Sequence, residues 1–349
     1  MTDFAAVLHP PRAYGAPLGR AQLRSVPEDF CVREWLGFEA DGEGDHWLVR
    51  VRKRDANTLW VAKQLARTGN AHPKDVGFAG VKDRHALAEQ SFTVPARAEV
   101  DWLQVRGEGF EVIAASRHRR KLKRGALKGN EFEIVLREFS GDVSRLLERV
   151  AALSSGVPNY FGPQRFGRDA GNLKTAMEWA ESGRAPFDRY DRSFALSAAR
   201  SAIFNTVLAS RVVDNSWNRL RPGDVANLDG SGSVFAVPEV DEVLTRRCAE
   251  LDIHPTGPLW GSDSKAADEI AQLEANQASQ FPEFVALLQR ERLDAERRPL
   301  RMRVDDLSCA VEEGLVRLRF RLPRGSFATA VLHEVIENAF DQPIEAEEA

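Results

Sequence analysis

Apolar and polar positions alternate along the first third of the chain as strands require. Within residues 24–36, Phe30, Val32 and Leu36 share one phase. Within residues 46–54, Trp47, Val49 and Val51 face one way while His46, Arg50 and Arg52 face the other. Asp41-Gly42-Glu43-Gly44 lies between them as a turn signal, so these two strands are expected to pair as a hairpin. Asn57-Thr58 predicts an N-cap for a helix carrying Leu59, Ala62, Leu65 and Ala66 at helical spacing and ending at Gly69. Residues 76–80 read as a buried strand, 90–95 and 110–115 as further strands, and 130–137 as one with Phe132, Ile134 and Leu136 on one face. Residues 141–154 follow a helical period through Val143, Leu146, Leu147, Val150 and Leu153.

The texture changes at residues 156–167, which are rich in Gly, Pro and aromatics and too irregular for a regular element. From 172 to about 297 the pattern is mainly helical, clearest over 196–213. Residues 230–233 and 255–258 read as loops, with His254 beside the second. Strand alternation returns over 301–322, as in Val316, Leu318 and Phe320. A turn at 323–326 then makes Ser326 the expected N-cap of a last helix through Val331, Leu332, Val335 and Ile336. Strands early, helices in the middle and strands again at the end predict an α+β fold interrupted by a mainly helical insertion. No internal repeat of fixed period is present.

At 349 residues, two domains or one with a large insertion are expected. Hydrophobic residues make up 43% and charged residues 29%, the balance of a globular protein. The net charge of -4 does not suggest a nucleic-acid binder, but it hides an uneven distribution. Negative charge gathers in residues 239–296 and in Glu345-Ala346-Glu347-Glu348; positive charge gathers in 116–128. Cys31, Cys248 and Cys309 form no Cys-x-x-Cys pair, so neither a zinc site nor a disulfide framework is expected. The first fifteen residues do not read as a signal peptide, and no run of about 18 apolar residues predicts a membrane span. The cytoplasm is the expected compartment and a monomer the expected state.

The stretch Lys82-Asp83-Arg84-His85 interrupts two strand patterns with four ionisable side chains in a row. Asp83, a carboxylate between two cations, suits a nucleophile, a general base or a structural ion-pair partner. A second charged stretch holds Arg117, Arg119, Arg120, Lys121, Lys123, Arg124 and Lys128 and no acidic residue. Clustered cations of this kind gain affinity for phosphates by releasing counterions, although such runs are also found as solvated loops. The chain contains neither a phosphate-binding Gly-x-x-x-x-Gly-Lys-Ser/Thr loop nor a Gly-x-Ser-x-Gly elbow. His85 and His118 have no companion at metal-ligand spacing, so neither a metal nor a cofactor is expected. Phe30, Phe132 and Phe327 are either core residues or platforms on which an unstacked base could lie beside a basic groove, and Asn130 alone reads as a turn residue.

Taken together, five motifs are far more specific than any one of them. Phe78-Ala79-Gly80-Val81-Lys82-Asp83-Arg84-His85-Ala86, Gly129-Asn130-Glu131-Phe132 and the run from Val157 to Gly167 resemble the signatures of the D-type tRNA pseudouridine synthases, the TruD family. Leu196-Ser197-Ala198-Ala199-Arg200-Ser201 and Gly325-Ser326-Phe327-Ala328-Thr329 do so too, all in the family's order. The resemblance implies a discontinuous pseudouridine-synthase catalytic domain, residues 1–157 and 304–349, around a mixed, largely antiparallel sheet, with a TRUD insertion at 158–303. It implies isomerisation of uridine 13 in certain tRNAs, without a cofactor. Asp83 matches the family's catalytic aspartate, while Phe30, Asn130, Phe132 and Phe327 match positions lining the uracil pocket. Arg24 stands where many members carry Lys, and a planar guanidinium holds a carboxylate differently from an ammonium. The sequence leaves open whether Asp83 attacks C1′ of the sugar or takes a proton from C2′. An RNA-binding or RNA-folding protein without catalysis is the alternative; a methyltransferase would need a nucleotide-cofactor loop that is absent.

Overall fold

The computed structural model of the chain describes residues 4–262, 265–312 and 314–340. The acidic residues Glu345, Glu347 and Glu348 lie outside these. In chain order the strands are β1 (Gly19–Gln22), β2 (Phe30–Trp35), β3 (His46–Lys53), β4 (Gly77–Phe78), β5 (Leu87–Pro95), β6 (Arg106–Gly107), β7 (Phe110–His118), β8 (Gly129–Gly141), β9 (Val157–Pro158), β10 (Asp224–Leu228), β11 (Val234–Val237), β12 (Ile253–Leu259), β13 (Glu296–Pro299), β14 (Arg301–Met302), β15 (Asp305–Glu312) and β16 (Leu315–Pro323). The helices are α1 (Ala5–Leu8), α2 (Thr58–Thr68), α3 (Val143–Ala152), α4 (Pro163–Phe166), α5 (Gly171–Ser182), α6 (Arg189–Val213), α7 (Glu242–Ala249), α8 (Asp268–Ala278), α9 (Pro282–Arg290) and α10 (Ala328–His333). The chain forms two compact units. A sheet unit holds Arg20–Ala151 and Asp305–Gly325; a helical unit gathers the start of the chain up to Gly19, Ala152–Val304 and the stretch from Ser326.

In the sheet unit the strand order is β15-β16-β8-β2-β5-β3-β7-β6, with β1 on β8 and β4 on β5. The expected hairpin between β2 and β3 does not form. Residues 90–94 of β5 are buried on both faces of the sheet, which suits a central strand. β5 therefore lies between the two, parallel to β2 and antiparallel to β3. Residues 76–80 also shrink from a strand to the two residues of β4, which pair with β5 before the chain turns out into the Lys82-Asp83 loop. One sheet face is apolar: Val49, Val51, Phe92 and Val94 pack beneath Val61, Ala62, Leu65 and Ala66 of α2. Asn57 caps that helix, its side chain accepting from the Leu59 and Trp60 amides. The other face carries cross-strand ion pairs, Arg33–Glu131, Arg52–Glu89 and Arg319–Glu133, a solvated ladder of small individual worth.

The helical unit is built round α6. Ala198, Ala199 and Ala202 on this helix are fully buried, and such small side chains let neighbouring helices approach closely. They belong to a core shared with Leu173 and Ala176 of α5 and Phe284, Leu287 and Leu288 of α9. The helices expected for residues 172–297 are accompanied by a four-stranded antiparallel sheet, β11-β10-β12-β13. Residues 255–258 therefore lie in a strand rather than a loop. Proline only forfeits a donor, and both prolines have strand partners: Pro255 faces Ala226 and Pro258 faces Arg297. His254 is likewise a buried strand residue, its Nε2 2.9 Å from Asp229 and its Nδ1 accepting from Arg301 Nε at 3.1 Å. Ser326 does not cap α10. Phe327 takes the cap position with no side-chain hydrogen bond, because the turn through Gly325, at φ 77°, delivers the chain one residue later than expected. The start of the chain is tied to this end: His333 Nε2 donates to the Pro10 carbonyl at 3.0 Å, and Leu18 donates to Val335 at 2.9 Å. Burial and the nearby Arg12 cation push His333 down to about 4.

Candidate active site

The loop between β4 and β5 is fixed from beneath before any ligand arrives. The Thr58 hydroxyl, at the start of α2, accepts from the Lys82 amide at 3.1 Å and reaches Gln90 on β5 at 3.1 Å. Gln90 in turn donates to the Gly80 carbonyl. Asp83 then turns back on its own chain, Oδ1 accepting from the His85 amide at 2.9 Å, a local Asx turn. Its other oxygen meets Arg24 Nη1 at 2.7 Å. Side-chain exposures of 27% for Arg24 and 32% for Asp83 leave this pair open to a ligand.

Arg24 sits in the left-handed region, φ 55°, which costs a non-glycine residue about 1–2 kcal/mol. Its guanidinium lies 4.2 Å from the Phe30 ring while also reaching Asp83. A flat guanidinium does both at once, whereas an ammonium is a point charge without a stacking face. The departure from lysine thus keeps the contact with the carboxylate and adds a stack on Phe30.

Strand register brings three more expected residues together. Opposite one another on β2 and β8 stand Phe30 and Ile134, Val32 and Phe132, and Glu34 and Asn130. On the far side β16 sets Phe320 against Phe132 and Leu322 against Asn130. Phe30 and Phe132 meet edge to face at 5.9 Å, and Phe132 and Phe320 stack at 5.5 Å. With exposures of 6% and 7%, Phe30 and Phe132 are core residues of the sheet unit. Asn130 Oδ1 is buried and has no hydrogen-bond partner among the described residues. Such an acceptor ordinarily has a partner, and the amide can also donate, so Asn130 suits a ligand edge offering an N–H beside carbonyls.

Motif reading placed Lys82 beside Asp83 and did not single out Glu34 or Lys53. Lys82 does not point at Asp83: it is buried and its ammonium pairs with Glu34 at 3.1 Å. Glu34 Oε2 also accepts from the Ser91 amide at 3.0 Å. Lys53, wholly buried, donates to the carbonyls of Ala56, Lys82 and Asp83 at 2.9, 3.1 and 2.7 Å. The signal was phase. Glu34 follows Phe30 and Val32 on the inward side of β2, and Lys53 follows Val49 and Val51 on that of β3.

The basic stretch is anchored, not loose. Leu122 is buried with Ala79 and Leu36, its amide donates to Thr93 at 2.9 Å, and Gly125 donates to the Ala79 carbonyl at 2.7 Å. A side chain on Gly77 would collide with the Leu122 carbonyl at 2.4 Å, so that glycine lets the stretch lie directly over the strand leading to Asp83. Several of its cations are engaged: Arg117 with Glu99 at 3.3 Å, Arg119 with Glu43, Arg124 on the Phe78 ring at 4.1 Å and Lys128 on Trp35 at 4.5 Å. Lys121 donates to the Lys74 carbonyl at 2.6 Å. Arg120 and Lys123 are exposed and have no ion-pair partner among the described residues.

Phe327 belongs to the helical unit. There it lies 5.9 Å from Phe161, with the Arg165 guanidinium 5.8 Å from its ring and Arg165 donating to Ser197 at 3.1 Å. The sequence motifs of residues 157–167 and 196–201 and the part of the last from Ser326 onward thus lie within that unit. Among the described residues no group of three His, Cys, Asp or Glu side chains could hold a metal ion. Nor is any helix among them long and apolar enough to cross a membrane.

The family model described as tRNA pseudouridine synthase D (TruD) matches residues 15–178 and 188–335. A tRNA pseudouridine synthase D from Methylococcus capsulatus is 45% identical over 332 residues, covering 94% of each chain. One from Nitrosococcus oceani is 42% identical over 342 residues, covering 95% of this chain and 96% of its own. The crystal structure of a Methanosarcina mazei protein assigned to tRNA pseudouridine synthase D superposes with a TM-score of 0.72 at 20% identity, over 93% of this chain and 95% of that one. That last likeness concerns the fold.

Proposed function

The chain belongs to the tRNA pseudouridine synthase D family, and on that premise we propose that it isomerises uridine 13 of certain tRNAs to pseudouridine, with Asp83 as the carboxylate that drives the reaction. The observation that carries this reading is the Asp83–Arg24 pair, 2.7 Å apart and partly open to solvent, on a loop anchored from beneath. The reaction breaks the bond from C1′ to N1 of the uracil and forms one from C1′ to C5. The hydrogen of C5 leaves as a proton and N1 gains one, so no electrons enter or leave and no cofactor is required. Asp83 either attacks C1′ or removes the C2′ proton, and both need an ionised carboxylate. Arg24 restrains the carboxylate's direction. Phe30 and Phe132 supply the apolar floor on which the detached base turns over, and Asn130 holds its edge. The place of Phe327 at that base rests on the family resemblance. So do the division into a catalytic domain, 1–157 with 304–349, and an insertion, 158–303, and the expectation of a cytoplasmic monomer.

The position is tested with transcripts of one substrate tRNA carrying U13 or C13, mapped for pseudouridine after incubation with the enzyme. Product at 13 in the first and none in the second is expected. Equal product elsewhere in both would refute the position while leaving the chemistry.

The anchored basic stretch supplies phosphate contacts in this reading, with Arg120 and Lys123 free to make them. Replacing both by Ala should weaken tRNA binding and flatten its dependence on the logarithm of salt concentration by about one unit for each phosphate left unneutralised. Measuring Kd at a series of salt concentrations decides it; an unchanged slope returns the stretch to a solvated loop.

A further inference from the structure

Lys53 is the last residue of β3, and the alternation that buries Val49 and Val51 carries its side chain into the core, where none of it is exposed. An ammonium has three donors and no acceptor. Here three carbonyls receive it, those of Ala56 at 2.9 Å, Lys82 at 3.1 Å and Asp83 at 2.7 Å. Two of them are consecutive residues of the loop, and the shortest contact is to Asp83 itself. Burying a cation is costly, and a methionine or leucine would fill the same space without that penalty. What the apolar residue could not do is gather three carbonyls around one point.

We propose that Lys53 is a positioning residue for the reaction: its charged ammonium holds the backbone of Lys82 and Asp83 and thereby sets where the Asp83 carboxylate stands against Arg24. This rests on the function proposed above, since position matters only if Asp83 does chemistry. Asp83 is already fixed at one oxygen by its own turn and at the other by Arg24. Lys53 fixes the backbone from which both contacts are made. Small displacements of a reacting group cost large factors in rate, so such a hold affects the chemical step more than tRNA binding.

Burial pushes the Lys53 amine down from 10.5 to about 8. Asp83 and Asp55 act to keep it charged, while Lys82 acts against it. Of the other charged groups near the loop, Glu34 of β2 is paired with Lys82, Arg24 with Asp83 and His85 with Asp55. Above about pH 8 the neutral amine keeps two N–H donors for three carbonyls, and the loop loses one of its ties. Stability moves the opposite way. Between about 8 and 10.5 the unfolded chain holds a proton that the folded one has released, so this group's contribution to stability rises with pH while its contribution to rate falls.

The test compares wild type with Lys53→Gln in single turnover at saturating enzyme between pH 6.5 and 9, with urea midpoints and tRNA Kd measured alongside. The wild-type rate should fall about tenfold from pH 7 to 9 without a parallel loss of stability. Lys53→Gln should be at least about tenfold slower at pH 7, bind tRNA as before, and lack the alkaline fall. Should Lys53→Gln not fold, Lys53→Met, which fills the same space without a donor, replaces it, and a loss of tRNA binding in step with rate overturns the proposal. So does a variant of wild-type rate, or one whose rate and stability fall together with the alkaline limb intact. Absence of pseudouridine from wild type at every pH would instead refute the function and, with it, the basis of this assignment.

Discussion

Asp83→Asn is expected to abolish pseudouridine formation, by at least about a thousandfold, while leaving tRNA affinity within about threefold. The substitution is nearly isosteric. The amide oxygen can still accept from the His85 amide, so the local turn survives. What it lacks is the negative charge that, in the proposed reaction, attacks C1′ or accepts the C2′ proton, and the ion pair with Arg24 becomes a single neutral contact. Because the pair is partly solvated, its loss costs the fold little; exposed pairs are worth about 0–1 kcal/mol. Electrophoretic binding and single-turnover kinetics on one tRNA separate the two effects. Equal losses of binding and rate would make Asp83 a structural ion-pair partner.

The second large effect falls on stability. Glu34→Ala removes the partner of Lys82, whose side chain is only 7% exposed, and leaves the Ser91 amide without its acceptor. An uncompensated buried charge of this kind costs about 3–5 kcal/mol, far more than any pair on the outer face of the sheet. The Asp83 loop should suffer with the fold, since the residue after Lys82 is Asp83. Urea denaturation of Glu34→Ala and of Glu34→Ala with Lys82→Met checks this. The single variant should lose most of that range, and the double variant should recover a large part of it, because no charge is then left buried alone. A single variant within about 0.5 kcal/mol of wild type would mean that Lys82 finds water instead.

Much of the sheet was legible because strand alternation reports burial directly. The phases of β2, β3, β8 and β16 follow from their own residues, and the cap at Asn57 follows from local chemistry. Pairing was less legible, because it depends on competition. The short turn at 41–44 favoured a hairpin, but β5, buried on both faces, took the place between β2 and β3. β12 was hidden by its own prolines, whose missing donors the neighbouring strands do not need. In the site, Asp83, Arg24, Phe30, Phe132 and Asn130 were carried by motif and resemblance, and the sheet unit brings them together. Lys53 and Glu34 were hidden because surface cations and carboxylates are so common, and Lys82 was legible only as a neighbour of Asp83, not as the partner of Glu34. Only the inward phase of Glu34 on β2 and Lys53 on β3 sets them apart, and their partners are main-chain groups or residues far off in sequence.

The most direct measurement is single-turnover release of tritium from tRNA labelled at uracil C5, with wild type and Asp83→Asn side by side. Formation of the bond from C1′ to C5 expels that hydrogen, so release counts the isomerisation itself. The account predicts release by wild type, at one label per tRNA, and none above background from Asp83→Asn. Release at wild-type rate from the variant would take Asp83 out of the chemistry. No release from wild type with any of several tRNAs, binding intact, would contradict the activity itself.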